Sequence, residues 1–208
     1  MTSPPYFVEP PAIAVWLVSL FTIPGDGEAI LGDLLEEFSY LASKSGVVLA
    51  RRWYWRQALK TIAHLVCLAY RVAPWSTSAA VVGGFLSRRI VSGFFGFPER
   101  LIFAVLERYY VYENHFGIYV FFASTAIDIG YVIVFWFVGC VTALAAKGRE
   151  MAAALTLSLI FTAMDMVAVV ANSMTGHHVF LSMLTWNFAD SFAILVGAAI
   201  VRTRRPAV

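Results

Sequence analysis

Residues 119–145 read YVFFASTAIDIGYVIVFWFVGCVTALA, a run with one charge, Asp128, and no proline. As a helix rising 1.5 Å per residue, it is long enough to cross the roughly 30 Å hydrocarbon core of a bilayer. Backbone polar groups in lipid must bond within their own segment, so the run predicts a membrane-spanning helix. Three further runs read the same way, giving spans at 75–97, 119–145, 151–172 and 181–201. Composition agrees: of 208 residues, 60% are hydrophobic and 13% charged, against roughly 25% charged in a soluble domain. The expected fold class is all-α, an integral membrane four-helix bundle over 75–205. A small cytoplasmic N-terminal helical prefix domain precedes it at 1–60, with an interfacial amphipathic helix at 61–74. Four spans and their loops leave no room within these residues for a nucleotide-binding domain or a large extracytoplasmic domain.

Orientation follows from where the basic residues sit, because the net charge of +2 is too small to argue for nucleic acid. Lys147 and Arg149 lie between the second and third spans, Arg202, Arg204 and Arg205 follow the fourth, and Arg51, Arg52, Arg56, Lys60 and Arg71 precede the first. Both termini are therefore expected on the cytoplasmic side of a bacterial inner membrane. Pro98 is expected to start a separate amphipathic helix carrying Leu101, Ile102, Val105, Leu106 and Tyr109 on the opposite side. The start, Met1 to Pro11, has no basic stretch and no small-residue cleavage pattern follows it, so no signal peptide is expected. Cys67 and Cys140 stand far apart in mostly apolar surroundings and read as reduced, inert thiols.

The prefix differs from the rest. Pro11 opens a short apolar helix, Pro24-Gly25-Asp26-Gly27 breaks it, and a second helix follows. On that helix Ile30, Leu31, Leu34, Leu35, Phe38 and Leu41 recur at helical spacing, with Asp33, Glu36 and Glu37 on the other face. Arg51, Arg52, Trp53, Trp55 and Arg56 then join cations to indoles, the pairing of an interfacial anchor among lipid headgroups. Beyond them Lys60, His64, Cys67 and Arg71 form a polar stripe beside Leu59, Ile62, Leu65, Val66, Leu68, Ala69 and Val72, as on a helix lying along the membrane.

Three strings in this region carry a resemblance: Pro10-Pro11-x-x-Ala14-x-Trp16-Leu17-x-Ser19-Leu20-Phe21, then Glu28-x-Ile30-Leu31-Gly32-Asp33-Leu34-x-Glu36-Glu37-Phe38, then Arg52-Trp53-Tyr54-Trp55-Arg56-Gln57-Ala58-Leu59. Together they resemble the permease prefix domain 2 family, the N-terminal module of acidobacterial MacB-like ABC exporter permeases. The likeness covers about the first quarter of the chain. In the family's longer members a permease with an extended extracytoplasmic domain follows, for which the present spans leave no room. The resemblance thus implies a docking module, and it brings no catalytic residues.

The chemistry-bearing feature is charge inside the spans: Arg88 and Arg89 in the first, Asp128 in the second, Asp165 in the third, Asp190 in the fourth. Each ionised group near a bilayer centre costs roughly 2.5 to 3.5 kcal/mol on insertion scales, so pairing within the bundle is expected. Arg88 and Arg89 point about 100° apart on a helix, so one is expected to reach the carboxylates and the other to snorkel or meet a neighbouring chain. Thr125, Thr162, Asn172, Asn187 and Ser191 extend the polar layer. The layer reads first as a device fixing helix register, and second as a proton or ion path in which acids outnumber cations. His115, His177 and His178, with Glu113 and Asn114, read as rim residues in headgroup territory rather than a metal or haem site, and no cofactor is expected.

No familiar catalytic fingerprint is present, so an enzyme is not expected. The leading expectation is a non-catalytic accessory or regulatory subunit of a larger membrane complex such as an ABC exporter. The alternatives are a small homo-oligomeric transporter or proton-coupled permease using Asp128, Asp165 and Asp190, and a subunit holding lipid, quinone or pigment. The expected partners are membrane lipids and either another membrane protein or further copies of the chain.

Overall fold

The computed structural model describes residues 8–22, 27–109, 113, 115–174 and 180–204, with side chains described for all of these except 95–99, 172–174 and 180–186. Among the described residues the chain is helical throughout and no strand occurs. It divides into two compact units, Met1–Pro74 and Trp75–Arg205.

The first unit holds α1 (Ala12–Phe21), α2 (Gly27–Ser45) and α3 (Val47–Val72). Gly46, at φ 88°, makes the one-residue joint between α2 and α3, a left-handed conformation that a Cβ disfavours. Ala14 and Val18 of α1, Leu34 and Phe38 of α2, and Ala50, Tyr54 and Ala58 of α3 form one buried core. Phe38 and Tyr54 meet edge to face, ring centroids 5.7 Å apart, which suits the opposite charge of ring face and ring edge. The expected boundary at residue 60 is absent: α3 runs unbroken from the arginine-tryptophan stretch through the amphipathic one. Its Ile62 and Ala69 are buried while Lys60, His64, Cys67 and Arg71 are exposed.

The second unit holds α4 (Pro74–Arg108), α5 (Phe116–Ala145), α6 (Glu150–Met174) and α7 (Phe180–Arg204). The expected break at Pro98 is also absent, since α4 continues to Arg108. A proline inside a helix removes a single backbone donor, and α4 continues around that loss. α5 and Glu150–Ala171 of α6, each at mean hydropathy 2.0, are long and apolar enough to cross a membrane. Val47–Val72 and Pro74–Phe94 reach that standard only when taken together, as a bent pair that is either a broken span or a re-entrant loop.

α7 packs on both α5 and α6. Its contact with α5 is backbone on backbone: a Cβ on Gly139 would strike the carbonyl of Ile194, and one on Gly197 the carbonyl of Trp136. Cys140 Sγ, 3.5 Å from the Gly197 carbonyl oxygen, lies in the same contact. Ala143 and Ala198, on the same two helices, are fully buried, as are the larger Val138 and Ile194. Small side chains let helices approach where no hydrophobic force separates helix from lipid.

Candidate functional site

The polar residues of the second unit fall on particular helix faces. On α6, Ser158, Thr162 and Asp165 follow one another at i, i+4 and i+7, and on α7 Asn187, Asp190 and Ser191 occupy i, i+3 and i+4, so each set shares a face. The two faces meet. Thr162 Oγ1 and Ser191 Oγ are 2.6 Å apart, Ser158 Oγ donates to the Ser191 carbonyl at 3.3 Å, and Thr162 Oγ1 lies 2.8 Å from the Ser158 carbonyl. A hydroxyl seam thus runs between two mostly apolar helices, ending at Asp165 and Asp190.

Arg88 of α4 is the inward arginine, half-buried, whereas Arg89 is exposed. Arg88 lies within electrostatic range of Asp165 and Asp190, and Asp165 and Asp128 within range of Asp190. The expected ion pair is nevertheless absent: among the described residues none forms between Arg88 and the three carboxylates. Its guanidinium sits instead over two rings, 5.0 Å from the centroid of Phe135 and 5.1 Å from that of Phe161. A guanidinium is weakly hydrated and planar, and ring faces give it a negative seat without a carboxylate. Phe85 stacks on Phe161 at 5.4 Å and 11°, backing that seat from α4 itself. Asp190 is the exceptional acid. Its Oδ1 is buried and has no hydrogen-bond partner among the described residues.

Asn187 is half-buried beside Asp190, Thr125 donates only to the Phe121 carbonyl of its own helix at 2.7 Å, and the Asn172 side chain lies outside the described residues. Arg51, Arg52 and Arg56 are exposed on α3, while Trp53 and Trp55 are half-buried and pack against the prefix core. His115 precedes α5 and is exposed, as is Glu113; Asn114, His177 and His178 lie outside the described residues. Among the described residues no three His, Cys, Asp or Glu side chains converge to hold a metal ion.

A second charged site was not apparent from the sequence. Glu150, at the start of α6 and 2% exposed, pairs with Arg202 near the end of α7 at 3.4 Å. It also accepts from the Gly148 N–H at 2.9 Å, with Gly148 turning the α5–α6 connection at φ 78°. A carboxylate there also complements the positive end of the α6 dipole. Arg202, read as one of several cytoplasmic cations, is thus tied into the helix packing. No family model, no curated protein and no solved structure matches the chain.

Proposed function

We propose that this chain is a multi-pass membrane protein whose α4–α7 bundle exchanges a proton or small cation at Asp190. Lining up the helices along a membrane normal puts Arg88, Asp128, Asp165 and Asp190 roughly 20 to 25 Å from the Pro74, Ala145, Glu150 and Arg204 ends, one shared depth. The observation that carries the reading is the unpartnered Oδ1 of Asp190. A carboxyl oxygen left without a donor in a dry site is costly, and a residue serving only to fix register is better served by a satisfied polar group. A site that a proton or cation completes in turn accounts for that cost, and the hydroxyls of Thr162 and Ser191 supply neighbouring steps. Four passes with cytoplasmic termini, in a bacterial inner membrane, agree with the cations at 147, 149, 202 and 204.

Reconstitution into liposomes with an internal pH dye tests the proposal. The wild-type chain is expected to dissipate an imposed pH gradient and Asp190→Asn to lose that flux while remaining folded. Equal rates in both, or in protein-free liposomes, would overturn it.

A second reading is favoured by the surface of the prefix. Ile13, Trp16, Val48, Leu49 and Leu59 are each more than half exposed there. That apolar surface, together with the prefix-family resemblance, supports an accessory subunit docking on a larger membrane complex. Affinity purification in mild detergent separates the readings: a stoichiometric membrane partner supports docking, and a defined homo-oligomer without one supports transport by the chain itself.

A further inference from the structure

The second arginine of α4 has no place in the polar seam, and its surroundings are of a different kind. Arg89 and Arg88 both border a cleft of about 430 Å³ on the outside of the helical unit, between α4, α5 and α6. Ser92 and Tyr131 add hydroxyls, Phe85 and Met164 add apolar wall, and no carboxylate lines it. Among the described residues neither arginine forms an ion pair, and Arg89 is exposed. On a helix crossing a membrane, a guanidinium facing lipid at this depth is unstable unless it snorkels to the interface or draws a counter-charge inward. Two guanidinium groups offer only donors and the phenol of Tyr131 can donate as well, matched to an acceptor-only group such as a phosphodiester. The volume falls within the usual range for small-ligand sites. The flanking surface continues the apolar wall, with Leu86 60% and Phe94 76% exposed, as acyl chains would require.

The geometry points to a binding site for the phosphate of an anionic phospholipid, held by Arg88 and Arg89 with its chains along Phe85, Leu86 and Met164. The site is a different one from Asp190, since the cleft contains none of the three aspartates, and its test rests on Arg89 because Arg88 lies within electrostatic range of Asp165 and Asp190. Bound lipid turns the outward charge of α4 into a satisfied pair. It is also the counter-charge that the protein itself does not provide.

The full chain, purified in mild detergent and delipidated, is titrated with phosphatidylglycerol, with phosphatidylcholine and with inorganic phosphate, and bound lipid is counted by native mass spectrometry. Retention of phosphatidylglycerol is expected to exceed that of phosphatidylcholine about tenfold, because both offer the same phosphodiester but the choline cation of the second is repelled by the two guanidinium groups. Arg89→Gln is expected to erase that preference, Arg89→Lys to keep part of it, and inorganic phosphate to leave the bound lipid in place. Equal retention of the two lipids, an unchanged preference in Arg89→Gln, or displacement of lipid by free phosphate would each overturn the assignment. Should Arg88→Gln fail to fold, the exposed Arg89 variants still decide the matter.

Discussion

Two charged sites in the same helical unit are built in opposite ways. At one end, Glu150 is buried and answered by Arg202, by the Gly148 N–H and by the start of its own helix. Midway along the helices, Asp190 is turned inward with one oxygen unanswered among the described residues, and the nearby Arg88 rests on Phe135 and Phe161 rather than on a described carboxylate. The first arrangement holds α6 and α7 in register. The second spends stability without a matching structural return, which is the pattern expected where a protein keeps a group for use.

The largest effect that would test this contrast comes from its satisfied member. Glu150→Gln removes the carboxylate charge paired with Arg202 in a largely buried place, and removing one partner of a buried pair costs about 3 to 5 kcal/mol. Thermal or denaturant unfolding in detergent should show that loss. Asp190→Asn should by comparison leave stability unchanged or raise it, since it exchanges an unpartnered carboxylate for a neutral amide. If both variants destabilise equally, the contrast fails and Asp190 is a register residue.

Next in size is the helix contact that holds both sites in place. Gly139→Ala and Gly197→Ala each drive a methyl into the backbone of the facing helix, which no rotamer change relieves. Overpacking of that kind costs about 1 to 3 kcal/mol. Gly130→Ala in the same α5 meets nothing within contact distance and is expected to be neutral by the same assay. A loss at Gly130 as large as at Gly139 would show that the α5–α7 approach is not what the glycines serve.

Legibility in the sequence divides along the same lines. The helices α5 and α6 follow from hydropathy alone, because apolar length is a local property. The prefix core was half legible: Ala50, Tyr54, Ala58 and Ile62 recur every fourth residue along α3 and are all buried, yet the cation-indole composition around them drew the reading toward the membrane interface. The acids of the polar layer were legible because charge is rare in such helices, and Ser158 was missed although it sits one turn before Thr162. What no local pattern carries is partnership. Glu150 and Arg202 lie 52 residues apart, the Gly197 contact depends on the carbonyl of Trp136, and nothing marks Phe135 and Phe161 among 17 phenylalanines as the seat of a cation.

The smallest expected effect concerns the hydroxyl seam, where structure and transport make opposite demands on one bond. Thr162→Val removes the 2.6 Å contact to Ser191 while keeping the side chain's shape. Interhelical hydrogen bonds in membranes are worth about 0.6 kcal/mol on average, so unfolding should move little. If the seam only joins α6 to α7, proton flux should move as little as stability does. If it feeds Asp190, the break falls next to the acceptor, and flux through reconstituted protein should drop several-fold at nearly unchanged stability. Thr162→Ser restores the hydroxyl and should restore flux with it. A flux that follows stability through all three side chains would reduce the seam to packing and leave Asp190 without a route.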